Sequence, residues 1–170
     1  MLIDWTTYRL LCCTAGDLEA ERAAFDAANA KFAECVTMPE RILFALASPH
    51  PDFNPHAQRN ALESNIRFCD FFLQIFSETA PREPFHEFVE LAIACTDNPA
   101  FPMRSTVVMF RNSESATPEM AAFRRQLLEG GQCQVRDFHS PEEFEALSGE
   151  VLATWYALIQ SRSEATGSSA

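Results

Sequence analysis

Two kinds of hydrophobic spacing alternate along this chain. Mostly apolar runs at Tyr8–Cys13, Phe71–Phe76 and Ser105–Phe110, interrupted only by Arg9, Gln74 and the opening Ser105-Thr106, are each followed by a segment whose apolar residues recur every three or four positions. A run without a polar alternate face is a strand covered on both sides, and the longer spacing is that of a helix with one buried stripe. The pattern predicts strand at 8–13, helix at 17–35 with Leu18, Phe25 and Phe32 on one stripe, strand at 41–47, helix at 57–69 and strand at 71–76. It continues with helix at 84–97, burying Phe85, Phe88, Val89 and Ala92, and strand at 105–110. A helix stopping at Gly130-Gly131, a strand at 134–138 and a helix carrying Phe144, Leu147, Val151, Trp155 and Leu158 complete it. Segment 41–47 is the weakest, because its Leu and Ala suit a helix equally well.

Helix ends carry their own signals. Thr117-Pro118 supplies a cap and a first-turn proline, and Ser140-Pro141-Glu142-Glu143 has the form of a capping box. Thr14 is the expected cap of the first helix. Residues 48–56 hold three prolines and must be loop, longer than most connections. Five strand-helix alternations, with connections too long for hairpins, imply parallel strands joined by right-handed crossovers. The expected fold is α/β, a flavodoxin-like three-layer sandwich around a five-stranded parallel sheet of order 2-1-3-4-5. Residues 1–160 form one domain, and the small, polar stretch 161–170 is a flexible tail.

Charge and composition narrow the partners. The net charge of −11, with Lys31 the sole lysine and the arginines scattered, disfavours a nucleic-acid partner. The start has no basic, apolar leader pattern, and no run approaches the roughly 20 apolar residues of a membrane helix. No membrane and a cytoplasmic location are therefore expected. Six cysteines, at 12, 13, 35, 69, 95 and 133, form no Cys-x-x-Cys and read as free thiols.

In this fold, ligands bind beyond the carboxyl ends of the strands, where the first and third diverge. That rule gathers Thr14, Ala15, Gly16 and Asp17 from the first turn and Ser77, Glu78 and Thr79 from the third. Asp17 at a helix N-terminus satisfies free amides, contributing roughly 0.3–1 kcal/mol, and disfavours a phosphate there while leaving a carboxylate for a ribose hydroxyl. Arg82 is an anion partner or a free surface arginine. The loop Ser77-Glu-Thr-Ala-Pro-Arg-Glu-Pro has no glycine to admit a pyrophosphate closely.

Leu10-Leu-Cys-Cys-Thr-Ala-Gly-Asp-Leu-Glu-Ala-Glu-Arg22 resembles the opening of a TIR-like bacterial family, domain-of-unknown-function family 4062. That family's first strand leads into Ser-Ser-Thr-x-x-Asp-Leu-x-x-Glu-Arg. Thr14, Asp17, Leu18, Glu21 and Arg22 match the motif, while Cys12 and Cys13 replace its serines. Ile66-Arg-Phe-Cys-Asp70, Glu90-Leu-Ala-Ile-Ala94 and Phe138-His-Ser-Pro-Glu-Glu-Phe are similar to later family segments. The resemblance implies a TIR-like domain and a glutamate acting at a ribose. It makes Glu90, with Glu87 beside it, the candidate catalytic residue, and Thr14, Asp17, Ser77 and Arg82 the candidate substrate-binding residues. A carboxylate there would stabilise an oxocarbenium ion as an N-glycosidic bond breaks. NAD would be the substrate, with no separate cofactor. The helical wheel opposes this, because it puts Glu83, Glu87 and Glu90 on the side normally in water.

Other chemistry is thinner. His50, Asp52 and His56 share one loop without a fourth ligand, so no metal is expected. Cys12 or Cys13 with His139 as base reads as an activated thiolate or as buried inert cysteine. Three functions follow: a signalling or defence module that binds a nucleotide and cleaves NAD, a non-catalytic interaction domain that assembles with itself or a partner protein, and a flavodoxin-like relative without ligand.

Overall fold

The computed structural model describes residues 4–49 and 54–167, with side chains to residue 162. Five strands, β1 (Thr6–Ala15), β2 (Ile42–Ala47), β3 (Phe71–Phe76), β4 (Ser105–Arg111) and β5 (Gln134–Phe138), form one sheet. All pairings are parallel, in the order β2-β1-β3-β4-β5. The helices are α1 (Glu19–Phe32), α2 (Arg59–Phe68), α3 (Phe85–Asp97), α4 (Pro118–Gly130) and α5 (Pro141–Gly167). The chain is a flavodoxin-like three-layer sandwich, as the strand-helix alternation predicts.

Strand periodicity divides the core in two. Leu11, Cys13 and Ala15 of β1 join Phe72 and Phe76 of β3 beneath α2, α3 and α4. Leu10 and Cys12 join Phe71, Leu73 and Ile75 beneath α1 and α5, where Phe71 stacks on Trp155 at 4.9 Å. Both faces of β3 are apolar because both are covered. Gln74 is the exception: fully buried, it donates to the Ile75 carbonyl at 3.2 Å, and its Oε1 has no partner.

Several ends differ from the sequence reading. Thr14 is not a cap; it lies in β1 opposite Ile75, and Leu18 precedes α1 without any side-chain cap. The strand runs two residues further because Ala15 and Phe76 still pair. After Phe32 the first helix widens into a π-helical turn, Ala33–Thr37, instead of stopping at residue 35. Residues 161–167, expected to be a flexible tail, continue α5. Ser161 to Thr166 contain no proline or glycine to stop it, and Gly167 is the first such residue. The other caps form as predicted. Thr117 accepts from the Met120 amide at 3.3 Å, and Gly131 closes α4 at φ +63°. Ser140 accepts from the Glu143 amide at 3.1 Å, while Glu143 reaches back to the His139 amide at 2.7 Å.

Two contacts fix the sheet margins. Asp70 accepts from the Arg9 amide at 2.8 Å and faces Arg104, whose guanidinium lies 5.1 Å from the Tyr8 ring, so one carboxylate ties three strands at their N-terminal ends. At the β2 edge, the Thr6 amide donates to Arg41 O, which places odd-numbered carbonyls of β2 inward and that of Phe44 outward. The buried Asn29 of α1 donates its Nδ2 to this outward carbonyl at 3.4 Å.

Candidate functional site

The diverging ends of β1 and β3 form the expected location, and three turns meet there. Gly16 adopts φ +97°, which turns β1 toward α1 and brings its α-carbon against β3. A Cβ on Gly16 would lie 2.0 Å from Ser77 Oγ. The Ser77 amide donates to Ala15 O at 3.0 Å, extending the ladder past the strand end. These two turns are packed backbone against side chain, with Ser77 buried between them.

From β4, Arg111 extends across this junction. Its Nε donates to Glu78 at 2.8 Å and its two terminal nitrogens to Glu21 at 2.9 Å and Asp17 Oδ1 at 3.0 Å, with a further bond to Asp17 O at 3.1 Å. Thr79 completes the chain by donating to Asp17 at 3.3 Å and sharing a 3.1 Å bond with Ser77. Burial works against the charge of Arg111, but the bonds to Glu78 and Glu21 outweigh it and raise its pKa. Asp17 is held below the usual carboxylate range by its backbone amide and then by Arg111, and Glu78 chiefly by its hydrogen bond from Arg111. One cation thus joins the turns after β1 and β3 and offsets three carboxylates.

The structure brings Asp17, Ser77, Glu78 and Thr79 together, with Thr14 at the adjacent strand end, as the switch-point rule predicts. It does not bring Glu90 or Glu87 to them, and Arg82 meets only Thr79, in a depression beside the cluster. Glu90 is exposed and lines a groove of about 430 Å³ between α3 and α4 with Ile93, Asp97 and Leu127. Glu87 is half-buried and ion-paired with Arg59 of α2. Arg82 lies over the Phe123 ring at 5.6 Å and lines an open depression of about 740 Å³ with Thr79, Glu83, Thr117 and Glu119. Two carboxylates share that depression, and Thr117 already occupies the Met120 amide at the α4 N-terminus, so no phosphate cradle forms there.

Arg111 is the residue missed by sequence reasoning. Its signal was an arginine directly after the buried run Val107–Phe110, at the same sheet end as Asp17, Glu21 and Glu78.

The remaining candidates resolve simply. Cys12 and Cys13 are buried on opposite faces, and burial pushes both thiols well above their usual pKa, so neither is an activated thiolate. His139 faces Glu114 at 3.4 Å. All six cysteines are free. His50 and Asp52 lie outside the described residues, and among the described residues no group of three His, Cys, Asp or Glu side chains is placed to hold a metal. No described helix is long and apolar enough to cross a membrane. No family model matches the sequence, and a search of curated proteins gives no significant match.

Proposed function

We propose that this chain is a non-catalytic protein–protein interaction domain built on a flavodoxin-like, TIR-like sandwich. The observation that carries this reading is Arg111. The place where the fold ordinarily receives a ligand is spanned by its guanidinium, bound to Asp17, Glu21 and Glu78. A nucleotide entering there would have to displace those bonds and approach a turn that holds no glycine after β3. Glu90 adds support, since a carboxylate in the α3–α4 groove has no ribose site beside Asp17 to act on.

The second reading, a nucleotide-binding module that cleaves NAD through Glu90, rests on the motif at residues 14–22 and on Asp17, whose side chain is 70% exposed and ionised. Incubation of the purified protein with NAD, followed by chromatography for nicotinamide, separates the two. The interaction reading expects no release at any protein concentration. Release that Glu90→Gln abolishes with the fold intact would overturn it and restore the glycosidase.

A further inference from the structure

Apolar side chains in water cluster at one corner of the molecule. β1 and β2 present their odd-numbered residues to the α2 side, where Thr7, Arg9, Leu43 and Ala47 are left bare. On this bare face Leu43 is 40% exposed and Phe68, the last residue of α2, is 61% exposed. Trp5, 47% exposed, stands two positions before Thr7, the register partner of Leu43. These are three of the five large hydrophobic residues most exposed among those described. Beside Phe68, a depression of about 270 Å³ is lined by Arg9, Ala45, Ala47 and Asn65.

Arg9 identifies what fits. It is exposed, its side chain makes no hydrogen bond or ion pair among the described residues, and only its backbone is engaged, with Asp70. A cation bordered by Ala45, Leu46 and Phe68 calls for a carboxylate flanked by apolar side chains. The carboxylate that accepts from the Arg9 amide, Asp70, is itself paired with Arg104, which leaves the Arg9 guanidinium available to a partner. The acidic cluster at Asp17 lies eight residues along the strand direction from Arg9, roughly 26 Å away, about three Debye lengths at physiological salt.

We infer that the face carrying exposed Trp5, Leu43 and Phe68, with Arg9 beside Phe68, is the docking surface for an acidic amphipathic segment of a partner protein. This rests on the interaction-domain reading and names the partner chemistry for it.

Trp5 is also the reporter, because the other tryptophan, Trp155, is buried in the opposite core layer. The test titrates the full chain with two synthetic helical peptides sharing one apolar stripe, flanked by Glu in one and Lys in the other. The Glu peptide is expected to bind saturably and shift Trp5 emission to the blue, with Trp5→Phe as the control for Trp155. Arg9→Glu and Phe68→Ser, both at exposed positions, should each weaken binding about tenfold or more while circular dichroism stays unchanged. Equal binding of the Lys peptide, no binding of either peptide, or binding unchanged by Phe68→Ser would overturn the proposal. So would a concentration-dependent dimer that Phe68→Ser dissolves, which would make a second copy the occupant. Nicotinamide release bears on the parent reading alone, so the two fail separately.

Discussion

Gly16 and Ser77 are in such close contact that a methyl group on the first would overlap the hydroxyl of the second, the two atoms being 2.0 Å apart. This single approach brings the turns after β1 and β3 together, and Arg111 then bridges them. Closure of the junction is a steric condition first and an electrostatic one second.

Gly16→Ala should therefore be among the most destabilising exposed-turn changes in the chain. It adds a Cβ into Ser77 at a φ of +97°, which side chains rarely adopt. The expected loss is roughly 2–4 kcal/mol in urea unfolding. Adding Ser77→Gly should restore part of it, since that removes the steric partner but not the backbone strain.

The Arg111 network should appear as an acid-side stability slope. Asp17 and Glu78 have folded pKa values below their usual 3.8 and 4.5, so near those values the folded chain binds fewer protons than the unfolded chain. Their contribution is present in full above the unfolded values and is lost as pH falls from about 5 through the folded values. Arg111→Met should flatten that slope and cost about 1–2 kcal/mol at neutral pH through the lost bonds to Glu21 and Glu78. Urea midpoints measured from about pH 3 to about pH 7 test both.

Gln74→Met should stabilise the protein by about 1 kcal/mol, since it removes a buried carbonyl oxygen without a partner and keeps nearly the same volume. A thermal melt shifted downward would show instead that the amide is satisfied in solution.

Thiol reactivity should be unequal. Cys35 is exposed, whereas Cys12, Cys13, Cys69 and Cys95 are buried, with Cys69 pushed up to about 12 and the half-buried Cys133 to about 11. An aromatic disulfide reagent at mild alkaline pH should label Cys35 first, and all six only after denaturation. Rapid modification of Cys12 would contradict the core assignment.

Most of the sheet was legible in the sequence because its central strands announce themselves. Phe71–Phe76 and Ser105–Phe110 have no polar face, and only a doubly covered strand tolerates that. Connection lengths implied parallel strands, and the order β2-β1-β3-β4-β5 is the simplest doubly wound closure of five such units. The first helix boundary was misread because Thr14 and Asp17 both have cap chemistry, yet Thr14 is held by the ladder to Ile75 and Asp17 turns its carboxylate to Arg111 and Thr79. The site was half legible for a related reason. The switch-point rule places backbone positions, so it collected Asp17, Ser77 and Glu78, but it is silent about a long side chain such as Arg111 that reaches across from a neighbouring strand. Glu90 was nominated by resemblance, while the helical wheel correctly placed it outward.

The bond from Asn29 to Phe44 bears on how the molecule behaves in a crowd of its own copies. β2 reads Ile-Leu-Phe-Ala-Leu-Ala, without charge or proline, the composition from which open-ended strand stacking is seeded. A side-chain amide inserted at the middle of that edge interrupts the template where an incoming strand would need an unbroken row of acceptors. Removing that amide would reopen the edge, and Asn29→Ala is expected to turn turbid on concentrated storage sooner than the parent chain.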